Sequence, residues 1–265
     1  MDLQKPMNIA IIGAGNVAWH LAQALQAAGH NIIGVYSRTA GSRDALLEKL
    51  AHAKATTSLD LQHIAVDAVL IAVPDAALAN VAAALKVAPG TLVAHTSGAM
   101  PLAALSPVTG AAIGVFYPLQ TFSKAKAVSF QAVPLLLEAE NPGTLKQLEE
   151  LAASITQTVH KVDSVARKQL HLAAVFACNF TNHLLGISQE LLYGAGLPPQ
   201  SLDPLIKETV NKALEQHPFT VQTGPAIRHD ENVIEAHLHM LEQQPRLHQL
   251  YTLLTQSIQG TQPDQ

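Results

Sequence analysis

Residues 7–18 read MNIAIIGAGNVA. An apolar run, Met7–Ile12, stops at Gly13, and a helical stretch, Asn16–Ala28, follows it and ends at Gly29. An unbroken apolar run implies a strand covered on both faces. Gly13-Ala14-Gly15-Asn16-Val17-Ala18 fits the pattern G-x-G-x-x-G/A, set between that strand and that helix. Gly13 allows the tight turn, Gly15 lets the backbone approach a pyrophosphate, and the small Ala18 lets helix and strand pack closely. The helix start offers free N–H groups and a partial positive charge to phosphates. The stretch therefore predicts a dinucleotide site built on Gly13, Ala14, Gly15, Asn16 and Val17. The alternative is a loop that keeps this shape and binds nothing.

The same alternation continues outward from this loop. Short β-rich runs at 32–36, 68–73, 91–95, 112–116 and 133–137 interleave with helical stretches at 42–52, 76–87 and 144–156. The runs are continuous rather than alternating, which implies a mostly parallel sheet with helices on each side. From about Ser164 the character changes to helices: 164–193, 203–216, 231–243, and from Pro245 to about 258. The predicted class is α/β, a Rossmann-type doubly wound sheet over 1–160, followed by an all-helical domain over 161–265. No internal repeat and no long linker appears.

The end of the second strand selects the cofactor. An Asp or Glu there would hydrogen-bond a ribose 2′-hydroxyl. This chain has Ser37-Arg38-Thr39 instead, a guanidinium fork and two hydroxyls suited to a 2′-phosphate. The reading is NADP(H) rather than NAD, against the plainer possibility that Arg38 is an ordinary surface arginine. Two further strand ends add candidates, because ligands in open α/β sheets sit beyond the carboxyl ends of strands. Ala72, Val73 and Pro74 end one strand, and Thr96 and Ser97 end the next. Asp75 reads best as a helix cap.

On the long helix, at about 100° per residue with His171 at zero, Asn182 falls near 20°, Lys168 near 60° and Asn179 near 80°. The remaining positions from Leu170 to Leu185 are largely apolar, which predicts a buried helix whose polar stripe faces a partner or a cavity. His171, Lys168 and Asn179 are the catalytic candidates, and Asn182 a substrate contact. A structural polar network at an oligomer interface is the competing reading. Tyr117, Gln120 and Thr121 follow a strand in a segment too polar for core. Thr223 and Arg228 lie in a Gly/Pro loop, where Arg228 either clamps a substrate carboxylate or pairs with Asp230 or Glu231 on the surface.

Composition narrows the classes. The 265 residues are 48% hydrophobic and 14% charged, with mean hydropathy +0.19, which excludes intrinsic disorder. The low charge suggests surface hidden in an oligomer. Sixteen Lys+Arg against twenty Asp+Glu give a net charge of −4, with no basic patch for nucleic acid. The single cysteine, Cys178, excludes an internal disulfide and a cysteine-based zinc site. The thirteen His are scattered, and His237 and His239 fall on different faces of a helix, so no metal is expected. The N-terminus does not read as a signal peptide. No unbroken apolar stretch of 18 residues is present, so no membrane span and a cytoplasmic location are expected.

Taken together, GAGNVA, SRT, AVPD, HTSGA, YPLQTFSK, RKQLHLAAVFACNFTNHLL and QTGPAIRHD resemble one family over nearly the whole chain. It is the Rossmann-like family with a C-terminal helical domain of unknown function, labelled NADP oxidoreductase, deazaflavin-dependent-like. That family is similar in plan to pyrroline carboxylate reductase, ketopantoate reductase and the β-hydroxyacid dehydrogenases. The resemblance implies an NADP-linked reductase, a homodimer through the helical domain, and an active site between sheet and helices. The β-hydroxyacid dehydrogenases place a catalytic Lys four residues before an Asn, whereas here Lys168 is followed by Leu172.

The expected reaction is hydride transfer between NADP(H) and a small carbonyl or imine, a 2-oxo acid such as ketopantoate included. His171 is the expected general acid, with Lys168 as the competing donor and Asn179 and Asn182 orienting the substrate. A non-catalytic NADP-binding sensor or a dimeric interaction protein is the reading from another class. Deazaflavin as a second cofactor is a third.

Overall fold

The structure is a computed structural model and describes residues 5–261. Eight strands form one sheet in the order β3-β2-β1-β4-β5-β6-β7-β8. They are β1 Asn8–Ile12, β2 Asn31–Tyr36, β3 Lys54–Thr56, β4 Ala68–Ile71, β5 Leu92–His95, β6 Ala112–Pro118, β7 Leu135–Ala139 and β8 Val159–Lys161. Neighbours pair in parallel except β6 with β7. Helices α1 (Asn16–Ala27), α2 (Ala40–Leu47), α3 (Asp75–Ala84) and α4 (Pro142–Ala153) connect them.

Successive strand residues point to opposite faces. Ile9 and Ile11 of β1 enter one buried cluster, with Leu21, Leu25, Leu70 and Leu148. Ala10 and Ile12 enter the other, with Val69, Ile71, Leu78 and Val93. Both faces are thus covered, which is why these strands read as continuous apolar runs. The short edge strands β3 and β8 carry polar, exposed residues, and for that reason escape a pattern search. The strand order turns outward in both directions from β1, so a crevice opens beyond the carboxyl ends of β1 and β4.

The chain divides into two compact units, the second beginning at His183. The sheet ends at Lys161, near the boundary at 160 read from the sequence, but the compact unit extends further. The extension is α5 (Ser164–Ala174) and a π-helical segment, Val175–Phe180. The second unit is helical: α6 (Thr181–Gly194), α7 (Asp203–Glu215), α8 (Glu231–Met240) and α9 (Pro245–Gly260).

One expectation about the long helix changes, and the expectation of no membrane span is not overturned. The helix's apolar side chains were expected to be buried, yet Leu172, Phe176 and Phe180 are exposed, Phe176 to 62%. The expectation of no span rests on the absence of an unbroken apolar stretch. The run Ser164–Gly194 nonetheless reaches a mean hydropathy of 1.3 over 18 residues, enough by length and composition to cross a membrane. Scattered polar residues hide this from a search for unbroken stretches.

Candidate active site

The glycine loop is built as its sequence requires. Gly13 has φ of +115°, and a Cβ there would lie 2.0 Å from the Ala72 carbonyl oxygen. The loop is therefore pressed against the end of β4 and admits only glycine. Its N–H donates to the Tyr36 carbonyl at 2.8 Å, which ties it to β2 as well. Gly15 is the opposite case: a Cβ would meet nothing within 4 Å. Gly15 precedes α1 with no side-chain cap, so the first N–H groups of the helix are left without a side-chain acceptor at the cap. A pyrophosphate fits there, on the donors that a helix N-terminus leaves free.

At the end of β2, Arg38 is exposed and forms no ion pair among the described residues. Ser37 Oγ accepts the Thr39 N–H at 3.3 Å. This segment sits beside the glycine loop because β1 and β2 pair in parallel up to Ile12 and Tyr36.

A cavity of about 850 Å³ lies against the same loop. Gly15, Asn16 and Val17 line it after β1, Ala72 to Asp75 after β4, Thr96 to Gly98 after β5, and Tyr117 to Phe122 at the end of β6 and beyond it. Residues 170–179 supply the remaining wall, including His171, Cys178 and Asn179. The Tyr117 hydroxyl and His171 Nδ1 are 3.1 Å apart, within hydrogen-bond reach. Burial and the nearby Asp75 carboxylate raise the Tyr117 phenol above its usual range. Gly98 backs this pair. A Cβ at 98 would come within 2.6 Å of His171 Nδ1 and 2.8 Å of Tyr117 Cζ.

The four-residue stripe on the long helix does not assemble on this wall. His171 and Asn179 line the cavity; Lys168 and Asn182 are exposed and are not among the lining residues. The π-helical segment between them explains the loss for Asn182. A wider turn departs from 100° per residue, so the phase read across it no longer holds. Lys168 precedes the segment and is simply turned away from the wall. Asp75 also departs from expectation: the N-cap position of α3 is Pro74, and no side-chain cap bond forms. Its carboxylate lies on the cavity wall instead. Asn16 spends its amide on the Phe122 carbonyl at 3.0 Å, fastening the β6 loop to the glycine loop. Thr223 and Arg228 are exposed in the second unit. Among the described residues no three His, Cys, Asp or Glu are grouped to hold a metal.

Sequence reasoning missed His95, Gly98, Glu138 and Arg167. His95 ends β5 and is fully buried. Its Nδ1 accepts the Ser97 N–H at 3.1 Å, and its Nε2 has no hydrogen-bond partner. Burial, and then the Arg167 charge, lower its pKa to about 4. Burial lowers that of His30 too. The unfolded chain binds these protons near pH 6.5 and the folded chain resists them, so stability is lost as pH falls from about 6.5 to about 4. The His95 share is at most about 3 kcal/mol. Urea unfolding at pH 7 and pH 5 measures this slope, and His95→Asn, which keeps the acceptor, should flatten it.

Residues 2–118 match a Rossmann-like domain, and residues 133–258 match a domain of unknown function, DUF2520. The crystal structure of "putative NADP oxidoreductase BF3122 from Bacteroides fragilis" is 41% identical, with a TM-score of 0.89, over 97% of this chain and 99% of that one. The chain belongs to this Rossmann-like DUF2520 family. Protein TM1727 from Thermotoga maritima is 22% identical with a TM-score of 0.64, over 94% of this chain and 96% of that one. A reductive aminase from Aspergillus terreus, solved with NADPH and ethyl levulinate, is 16% identical with a TM-score of 0.67, covering 96% and 93%. These last two share the fold with this DUF2520-family chain. No curated protein matches it.

Proposed function

We propose that this chain is an NADP-dependent oxidoreductase that reduces a small carbonyl or imine. The observation that carries the reading is continuity. The open glycine loop and the cavity holding the Tyr117–His171 pair share Gly15, Asn16 and Val17 as wall. The name of the Bacteroides fragilis relative supports the same class. NADPH, when bound, supplies the hydride. The chain's residues do the rest: the α1 N-terminus holds the pyrophosphate, Ser37, Arg38 and Thr39 hold the 2′-phosphate, and His171 gives a proton to the substrate heteroatom. Tyr117 fixes the imidazole through Nδ1, and Asn179 orients the substrate.

Charge narrows the substrate. Among the described residues that line the cavity, Asp75 is the one carboxylate, and no Lys or Arg is present. A wall of this kind suits a neutral carbonyl, or a neutral imine that becomes cationic on taking the His171 proton, better than the carboxylate of a 2-oxo acid. Cyclic imines are accordingly the first substrates to screen.

Calorimetric titration tests the cofactor half of the proposal. NADPH should bind more tightly than NADH, and Arg38→Ala should bring NADPH down to the NADH level. An unchanged preference in the variant removes Arg38 from the site. Tight NADPH binding with no turnover on any imine or carbonyl would leave the sensor reading in its place.

The proposal extends to assembly. A homodimer through the helical domain would cover apolar side chains that are exposed in one copy, among them Leu205, Leu214 and Phe219. A sedimentation mass of one 28.1 kDa chain would remove this part.

A further inference from the structure

Arg167 is an anomaly among the charged residues, because its side chain is completely buried. A charge taken out of water is costly, and replacing a buried ion pair by apolar residues of similar volume is often neutral or stabilising. Its place therefore calls for a geometric reason. The guanidinium pairs with the Glu138 carboxylate on β7 and donates to the Met100 carbonyl and, at 3.3 Å, to Ser164 Oγ. Ser164 in turn donates to Glu138 at 2.8 Å and accepts the Leu102 N–H at 3.2 Å. The cluster thus joins the start of α5 to β7 and to the loop of residues 97–102.

That loop and that helix carry the two sides of the candidate site. His171 stands one turn after Arg167 on α5. Gly98, in the same short loop as Met100, touches the ring of His171 and the ring of Tyr117 so closely that no Cβ fits. Met100 and Leu102 also pack on the second buried cluster, while the loop's other hydrogen bonds are local. His95 Nδ1 accepts the Ser97 N–H, and Ser97 Oγ accepts the N–H groups of Ala99 and Met100. Beside the packing of Gly98 on His171, Arg167 and Ser164 supply its hydrogen bonds to α5.

We infer that Arg167, held by Glu138 and Ser164, is a positioning residue that sets the register of His171 against Tyr117. A planar fork can address the carboxylate, the carbonyl and the hydroxyl in fixed directions, which a lysine ammonium cannot. The inference rests on the proposed role of His171, but the Tyr117–His171 contact can be read without any reaction.

The test uses the full-length protein with two replacements. Arg167→Met with Glu138→Leu removes both buried charges together, and Arg167→Lys keeps the charge and loses the fork. Each is expected to fold, with the double variant melting at or above wild type. In each, the ¹⁵N signals of the His171 ring should lose the signature of the Tyr117 hydrogen bond. Turnover of a cyclic imine should fall at least tenfold in kcat with KM little changed. A folded variant with wild-type His171 signals overturns the inference, as does failure of both variants to fold, which would make the cluster a folding requirement only. If wild type reduces no imine and no carbonyl, the proposed function fails while the ring signals still decide the positioning role.

Discussion

Gly13→Ala is expected to lower the apparent Tm by about 10 °C and to abolish NADPH binding, whereas Gly15→Ala should leave Tm within about 2 °C of wild type and still lose the cofactor. The difference lies in what each new Cβ meets. At Gly13 it would stand 2.0 Å from the Ala72 carbonyl oxygen, on a backbone with φ of +115°. Overpacking against rigid backbone costs about 1–3 kcal/mol and the left-handed conformation about 1–3 kcal/mol more, out of a total stability of about 5–15 kcal/mol. At Gly15, φ is −78° and nothing lies within 4 Å, so alanine is accepted without strain. Its methyl group would stand where the pyrophosphate must approach, and NADPH affinity should fall by at least about tenfold, or 1.4 kcal/mol. Thermal melts with and without NADPH separate the two effects. Normal NADPH affinity in Gly15→Ala would mean that the open space at the loop is not the phosphate site.

The second large effect falls on turnover. His171→Asn should reduce kcat by about 10²–10⁴, the usual contribution of a positioned general acid, with NADPH affinity unchanged. Tyr117→Phe keeps the ring and removes the hydroxyl that reaches His171 Nδ1 at 3.1 Å, so it should cost less. The double variant should be little worse than His171→Asn, because the two side chains act as one unit. Lys168→Met should do almost nothing, since Lys168 is exposed and off the cavity wall. Single-turnover measurements on a cyclic imine check the set. Full activity in His171→Asn with loss in Lys168→Met would exchange their roles.

The contrast between His171 and Lys168 shows where the sequence stopped being informative. Helical phase placed both on one stripe with Asn179 and Asn182. Phase arithmetic assumes an unbroken α-helix, and nothing in Val175–Phe180 announces a π turn. The buried charge of Arg167 was equally hidden. In sequence it sits beside Lys168, and only its surroundings distinguish the two: one is completely enclosed, the other faces water. Gly98 belongs to the quoted HTSGA segment, but its role depends on two rings that arrive from residues 117 and 171.

By itself the sequence determined the α/β class, the glycine loop at 13–18, the Ser37–Thr39 strand end and the change to helices after about 160. These are local properties: a strand covered on both faces must be apolar throughout, and a turn at positive φ must be glycine. Tertiary structure alone decided which polar residues meet. Tyr117 reaches His171 across 54 residues of sequence, and Arg167 reaches Glu138 across 29. Such pairings depend on strand order and on how a helix is rotated against the sheet, and both are fixed only when the separate elements pack.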